Sequence, residues 1–174
     1  MMGAKNHVVV MPDANKEQTL NALVGAAFGA AGQRCMALSV AVMVGETKHW
    51  VDELVNKTKT LKVNAGHEPN TDVGPVISTR AKARVIDLIN SGVEQGAELL
   101  LDGRDVQVPG YEKGNFVGPT IFNQVTTDMR IYKEEVFGPV LAIMHVDTLE
   151  QAIELINANP FGNGVGLFTQ NGNT

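Results

Sequence analysis

The segment HVVVMPDANKEQTLNALVGAAFGAAGQRCMALSVAVMV, residues 7–44, predicts a strand, a helix and a second strand in succession. Residues 7–11 (HVVVM) contain three consecutive valines, and such a β-branched apolar run is typical of a buried strand. Apolar residues recur at helical spacing over residues 16–31, and a second strand-like run covers residues 39–44. Because two buried strands joined by a helix are typical of a parallel crossover, this segment indicates an α/β fold.

The rest of the chain continues the alternation of helix and strand. Helices with one apolar face are predicted at residues 48–61, 80–95 and 149–158, and strands at residues 98–101, 116–122, 140–146 and 165–169. Residues 102–115 are rich in glycine and proline and indicate an exposed loop or hairpin. We therefore expect one domain over residues 1–174, with a parallel sheet and helices on both of its faces.

Charge and composition exclude several classes of function. The net charge is −5 and the 14 Lys and Arg residues are scattered, so the chain lacks the basic stripe that nucleic-acid binding needs. Its apolar runs are shorter than the roughly 20 residues that span a bilayer, and the N-terminus lacks a secretory signal. We expect no nucleic-acid partner, no membrane association and an intracellular location. The four His residues show no metal-ligand spacing, which predicts no metal site.

Cys35 is the one cysteine of the chain and the first candidate for chemistry. It follows the small residues 29–32, which let the backbone approach a ligand closely and leave room for a helix to follow the thiol. A helix N-terminus or the adjacent Arg34 would favour the thiolate form of such a thiol. The alternative is an inert, buried structural cysteine. Neither His7 nor His49 is near enough in sequence to indicate a Cys-His dyad.

Two motifs carry a resemblance to a known family. Gly-Gln-Arg-Cys at residues 32–35 and Lys-Glu-Glu-Val-Phe-Gly-Pro-Val at residues 133–140 resemble the two signatures of the aldehyde dehydrogenase superfamily. The stretches at residues 3–7 (GAKNH), 25–37 (GAAFGAAGQRCMA) and 159–164 (NPFGNG) narrow the resemblance to the branch that acts on methylmalonate and malonate semialdehyde. The resemblance extends over the whole chain, and it implies the catalytic domain of the aldehyde dehydrogenase fold.

The resemblance implies hydride transfer from an aldehyde to NAD through a thioester on Cys35, which coenzyme A then accepts. A thiolate suits this chemistry because it is a soft nucleophile and a tolerable leaving group. In the family, the backbone N–H of the cysteine stabilises the developing alkoxide together with an Asn that precedes Met1. The resemblance also implies that Glu135 binds the nicotinamide ribose and that Phe137 packs near the nicotinamide ring. Without the resemblance, the sequence alone would indicate a solvated acid at Glu135 and a core residue at Phe137.

Arg34 departs from the superfamily pattern, in which an uncharged residue commonly precedes the cysteine. A guanidinium beside the thiol suits a substrate that carries its own carboxylate, because the two groups pair bidentately. We therefore predict that Arg34 binds the carboxylate of the semialdehyde. The alternative is that Arg34 only caps backbone carbonyls or pairs with a surface acid.

Family members are considerably longer than this chain, which sets further expectations. The chain is expected to be the thiol-bearing domain alone, truncated at its C-terminal end and without the NAD-binding domain, so NAD would bind weakly or not at all and turnover would be absent. The full-length enzyme is expected to be a dimer or tetramer of the bacterial cytoplasm or mitochondrial matrix. Met1 occupies the place where hydrolytic relatives carry a Glu base and acylating ones an Asn. A hydrolytic enzyme fragment, a non-catalytic scaffold or oligomerisation module, and a plain α/β domain with an inert thiol remain the alternatives.

Overall fold

The computed structural model describes residues 3–174. Within them, six strands form one sheet: β1 (Asn6–Val10), β2 (Leu38–Val44), β3 (Glu98–Leu101), β4 (Thr120–Asn123), β5 (Val140–Val146) and β6 (Val165–Phe168). The helices are α1 (Lys16–Phe28), α2 (Val51–Lys59), α3 (Thr79–Glu94), α4 (Arg130–Lys133) and α5 (Leu149–Asn157). Two 3₁₀ segments, Gly29–Gly32 and Gly45–Trp50, follow α1 and precede α2.

The strand order is β3-β4-β5-β2-β1-β6. Helix α1 leads from β1 to β2 in one direction along the sheet, whereas α5 leads from β5 to β6 in the other. Because parallel crossovers are right-handed, these opposite directions place α1 and α5 on opposite faces of the sheet. The predicted α/β architecture with helices on both faces is thus confirmed.

One strand corrects the expectation of an all-parallel sheet. Strands β1, β2, β4, β5 and β6 are paired in parallel, but β3 is antiparallel to β4. The connection from β3 to β4 contains no helix, and its two ends are joined by the hydrogen bond from Gly118 N–H to the Gly103 carbonyl (2.8 Å). Parallel strands are usually joined by a crossover helix, and the ladder between β3 and β4, which lacks one, is antiparallel. The predicted exposed loop is therefore the connection of a hairpin.

Side-chain caps explain where several helices begin. The Asn15 side chain accepts from the Gln18 N–H at the start of α1, and the Ser78 hydroxyl accepts from Ala81 at the start of α3. Thr148 and Gln151 form a capping box at the start of α5.

The predicted helix over residues 16–31 is too long. Helix α1 ends at Phe28, because Ala30 and Ala31 have φ angles of 52° and 53°, in the left-handed region that a regular helix cannot use. The strand predicted at residues 116–122 begins only at Thr120, after Gly118 and Pro119. The short helix α4 was not predicted from the sequence, since four residues carry no periodicity.

The core lies between the sheet and its helices. Its side chains with no exposed area include Val40 and Val42 of β2, Leu88 and Ile89 of α3, and the strand residues Ile121, Phe122, Leu141 and Ile143. No helix among the described residues is long and apolar enough to cross a lipid bilayer.

Replacement of Leu88 by Ala should destabilise the fold strongly. Its side chain is fully buried, so Leu88→Ala removes apolar contacts and leaves a cavity, at a cost of about 2–5 kcal/mol. The control is Val93→Ala on the same helix, where the side chain is 42% exposed and the cost should be much smaller. Urea unfolding followed by circular dichroism measures both; equal losses would contradict this description of the core.

Candidate active site

The sequence-predicted site residues converge at the amino ends of the parallel strands. Cys35 lies just before β2, and Glu135 and Phe137 lie just before β5. Asn163, which the sequence did not indicate, lies at the same edge just before β6. Parallel strands bring their amino ends to one edge of the sheet, so residues distant in sequence meet there. Many α/β proteins bind their ligands at the opposite, carboxyl edge.

An open cavity of about 570 Å³ occupies this edge. It is lined by Gly3, Ala4, Cys35, Glu135, Pro160, Phe161, Gly162 and Asn163. A narrower cleft beside it shares Ala4, Cys35 and Glu135 and is also lined by Arg34 and Phe137. Cys35 therefore lies where the two cavities meet.

Cys35 is exposed, which contradicts the alternative of a buried structural cysteine. The segment that follows it is a turn and not a helix. Residues 34–37 form a turn closed by the hydrogen bond from Ala37 N–H to the Arg34 carbonyl (3.0 Å), and β2 begins at Leu38. The chain must extend there because β2 pairs with β1 on one side and β5 on the other.

Gly32 brings the thiol-bearing loop against the loop that carries Phe137. Its φ angle is 67°, and a Cβ atom added to it would lie 2.1 Å from the Gly138 carbonyl oxygen. Only glycine permits this approach. Phe137 itself has a φ of 55° and is 45% exposed, so it is a strained residue at the mouth of the site and not part of the core.

The Arg34 guanidinium is bound to helix α1 in this structure. Its Nη2 atom donates to the carbonyls of Gly25 and Ala26 (3.0 Å each), and a Cβ atom on Gly29 would lie 2.9 Å from the same nitrogen. The carbonyl-capping alternative is therefore observed. A guanidinium carries five N–H donors, so the contact fixes one end of the fork and leaves further donors. Substrate binding by Arg34 stays a prediction.

Glu135 is held at the cavity wall from two directions. Its Oε1 atom accepts from the Ala4 N–H (3.2 Å), and its backbone carbonyl accepts from Arg84 (2.9 Å). The neighbouring Glu134 binds Arg130 through Oε1 (2.7 Å) and Arg84 through Oε2 (3.3 Å). The hydrogen bond from Arg130 lowers the pKa of Glu134, and the charge of Arg84 adds to the effect. Glu134 is thus a structural anchor for Glu135.

Lys5 is a buried residue of the site that sequence reasoning missed. It is 3% exposed, and its ammonium group donates to the carbonyls of Ile131 (2.9 Å) and Glu134. Burial lowers its pKa from 10.5 to about 8, against the raising effects of Glu135 and Glu134. The signal in the sequence was a lysine immediately before a buried strand, where a charge needs partners.

Asn6 and Asn163 were also missed, although both lie in quoted motifs. The Asn6 amide donates to the carbonyls of Cys35 and Ala37 (2.8 Å each), and its oxygen accepts from the Gly164 N–H (3.0 Å). The Asn163 amide donates to the same Cys35 carbonyl (2.6 Å). Both side chains therefore contact the backbone of the candidate nucleophile.

Two expectations from the sequence, the residue at the general-base position and the absence of a metal site, are not tested by the structure. Met1, which occupies the predicted general-base position, lies outside the described residues. Across residues 3–174, no three His, Cys, Asp or Glu side chains are arranged to hold a metal ion. The absence of a metal from the protein stays a prediction.

Comparison with known proteins identifies the family. The model of the aldehyde dehydrogenase family matches residues 1–174. The chain belongs to the aldehyde dehydrogenase family. It is 63% identical over 173 residues to the mitochondrial, acylating methylmalonate-semialdehyde/malonate-semialdehyde dehydrogenase of Bos taurus, covering 99% of this chain and 32% of that protein. The chain thus spans about a third of the length of such relatives.

Solved structures of aldehyde dehydrogenases superpose closely on the fold. The methylmalonate-semialdehyde dehydrogenase of Oceanimonas doudoroffii matches with a TM-score of 0.95 and 46% identity, over 98% of this chain and 36% of that one. An aldehyde dehydrogenase of Mycobacterium tuberculosis in complex with NAD⁺ matches with a TM-score of 0.91 and 31% identity, over 97% of this chain and 35% of that one. The fold expected of the catalytic domain is confirmed.

The buried Lys5 should make stability depend on pH. Because its pKa is about 8 when folded and near 10.5 when unfolded, the unfolded chain binds an extra proton between these values. The free energy of unfolding therefore rises as the pH increases through this window. Relative to Lys5→Met, the unsubstituted chain should gain about 3 kcal/mol across it.

Urea unfolding at several pH values measures this difference. The matched control is Lys113→Met, at an exposed lysine on the β3–β4 connection. A rise in stability with pH that is no larger in the unsubstituted chain than in Lys5→Met, or that Lys113→Met removes as fully as Lys5→Met does, would show that burial does not suppress the charge of Lys5.

Proposed function

We propose that this chain is the thiol-bearing catalytic domain of an NAD-dependent, CoA-acylating semialdehyde dehydrogenase. The proposed reaction converts methylmalonate semialdehyde, NAD⁺ and coenzyme A to propionyl-CoA, CO₂ and NADH, and malonate semialdehyde to acetyl-CoA in the same way. The observation that carries the proposal is the exposed thiol of Cys35 at the cavity faced by Glu135, in a chain 63% identical to acylating semialdehyde dehydrogenases.

Cys35 would act as the nucleophile. Its Sγ atom adds to the aldehyde carbon, and the carbonyl π electrons move to the oxygen, which becomes an alkoxide. The Cys35 N–H donates to no acceptor within residues 3–174, so it is free to stabilise this oxygen. Collapse of the alkoxide expels a hydride and leaves a methylmalonyl or malonyl thioester on Cys35. The bond between its α carbon and its carboxylate then breaks: CO₂ leaves, the electron pair stays on the thioester as an enolate, and a proton from solvent gives the propionyl or acetyl thioester. The thiol of coenzyme A then displaces Sγ from the acyl group.

The residues at the cavity fit a nicotinamide cofactor. The Glu135 carboxylate keeps Oε1 on the Ala4 N–H, whereas no residue from 3 to 174 donates to its Oε2 atom. That oxygen is suited to accept hydrogen bonds from ribose hydroxyls, and the exposed ring of Phe137 offers an apolar surface beside it. Bound NAD⁺ would supply the hydride acceptor. These roles of Glu135 and Phe137 rest on the family resemblance together with their place in the site.

We propose that residues 1–174 are not sufficient for turnover. The chain covers about a third of its relatives' length, so we propose that the NAD-binding domain and the oligomer contacts belong to the remaining two thirds. Residues 1–174 alone would then bind NAD weakly and release no NADH. By analogy with relatives named as mitochondrial, we place the protein in the mitochondrial matrix or the bacterial cytoplasm, as a homo-oligomer without nucleic-acid or membrane partners.

Arg34 would give the site its preference for carboxylated aldehydes. Arg34 lines the cleft beside Cys35, and its guanidinium is anchored on α1 by one nitrogen, which orients the rest of the fork. A bidentate pair with a carboxylate needs that planar fork, and a lysine cannot reproduce it. The proposed substrate class therefore depends on Arg34 more than on any other described residue.

Reversible aldehyde addition tests this directly. Malonate semialdehyde should protect Cys35 from iodoacetamide, and Arg34→Lys should weaken that protection about tenfold, the change expected when a charge-assisted pair is lost. Protection by butanal, which has no carboxylate, should change little. The matched control is Arg80→Lys, at an exposed arginine of α3.

Intact mass spectrometry of the alkylated chain provides the rates. Equal losses of protection for malonate semialdehyde and butanal would assign Arg34 to the helix cap alone. The absence of protection by any aldehyde in the unsubstituted chain would contradict the proposed nucleophile.

A further inference from the structure

Two side-chain amides from separate parts of the chain bind one backbone carbonyl. The Cys35 carbonyl accepts from Asn6 at the start of β1 (2.8 Å) and from Asn163 just before β6 (2.6 Å). These residues are 29 and 128 positions away in sequence. A carbonyl oxygen has two lone pairs, and here each is used by one amide. The peptide group that follows Cys35 is therefore fixed.

The peptide group that precedes Cys35 is fixed as well. The Arg34 carbonyl accepts from the Ala37 N–H (3.0 Å), and this carbonyl shares a rigid plane with the Cys35 N–H. The only soft torsions between the two planes are φ and ψ of Cys35. With both planes held, these torsions are set, and so are the directions of the Cys35 N–H and of its Cα–Cβ bond.

Asn6 and Asn163 differ in how permanent their contacts are. Asn6 is 6% exposed, and its amide also binds Ala37 and Gly164, so it is part of the packed structure. Asn163 is exposed and lies on the cavity wall. Its φ angle is 149°, in the region that favours glycine, although Gly162 and Gly164 flank it. A non-glycine residue held in such a conformation points to a use for its side chain.

We propose that Asn163, supported by Asn6, is a positioning residue that aligns Cys35 for addition to an aldehyde. This inference rests on the proposed function and names a determinant of it outside the two signatures of the family. Asn6 holds the thiol-bearing turn in the fold, and Asn163 completes the second hydrogen bond from the cavity side. Together they aim the Cys35 N–H at the oxygen of an aldehyde bound to Sγ.

Alignment of Cys35 by Asn163 and recognition of the carboxylate by Arg34 should affect different aldehydes differently. The Cys35 N–H stabilises the aldehyde oxygen, which every aldehyde has, whereas Arg34 would contact the carboxylate of only some. Loss of the Asn163 donor should therefore weaken the addition of malonate semialdehyde and of butanal equally. Alkylation by iodoacetamide alone forms no alkoxide, so its rate should change little.

The test uses the single cysteine of the chain. Labelling with [1-¹³C]cysteine gives one carbonyl resonance, which moves upfield when the oxygen loses a hydrogen bond. In Asn163→Gly and in Asn163→Asp, both of which lack the amide donor, we expect this upfield shift. We also expect roughly threefold to tenfold weaker protection of Cys35 by both aldehydes, as for the loss of one hydrogen bond. Asn173→Gly, in the exposed turn near the end of the chain, is the matched control.

The outcomes separate this inference from the proposed function. An unchanged carbonyl resonance in both Asn163 variants would overturn the inference. A shifted resonance with unchanged protection by the aldehydes would also overturn it, since the contact would then be structural only. If no aldehyde protects even the unsubstituted chain, the proposed nucleophile fails, whereas the resonance still reports whether Asn163 holds the carbonyl.

Discussion

The contact between the backbones of Gly32 and Gly138 determines the geometry of the site. Each glycine lies in the loop that precedes a central strand, β2 or β5, and neither loop could approach the other if Gly32 carried a side chain. The contact brings the loop of Cys35 to the loop of Glu135 and Phe137. A parallel sheet makes such a meeting possible, because it aligns the amino ends of strands that are distant in sequence.

A second group of contacts holds the Glu135 loop in place. Lys5, immediately before β1, binds it through the Glu134 carbonyl, and Arg84 of α3 and Arg130 of α4 bind it through the Glu134 side chain. Burial of the Lys5 ammonium costs stability, and the low pKa of this group shows the cost. Among residues 3–174, Lys5 is the one buried residue of the types Lys, Arg, Asp and Glu, and the other buried polar side chains are Asn, His, Ser and Thr. This loss of stability indicates that the Lys5 contact serves to position the Glu135 loop and not to stabilise the fold.

The sequence was sufficient to predict the order of elements and the region of the site, but not its details. Periodicity identified the main strands and helices, because residues such as Leu88 and Val42 face a common core. It could not show that β3 is antiparallel, since pairing direction depends on the connection and not on the strand itself. It also extended α1 through Ala30 and Ala31, where small helix-forming residues adopt left-handed angles set by the tertiary structure.

The residues of the site also divide into those that could be predicted from the sequence and those that were found only in the structure. Cys35, Arg34, Glu135 and Phe137 could be selected by resemblance, and the structure gathers all four at one edge of the sheet. Lys5, Asn6 and Asn163 were not selected, because each binds a backbone carbonyl and no sequence motif shows which carbonyl lies opposite. The Arg34 side chain shows the limit most clearly: its sequence neighbour is the thiol, but its nitrogen lies on the last turn of α1.

The central claim is that Cys35 carries the acyl group during catalysis. The most direct measurement is mass spectrometry of a chimera in which residues 3–174 replace the matching third of the Oceanimonas doudoroffii enzyme. With methylmalonate semialdehyde and NAD⁺, the peptide that contains Cys35 should gain a propionyl group, and coenzyme A should remove it. Formation of NADH by a Cys35→Ser chimera, or a propionyl group on any other residue, would contradict the account.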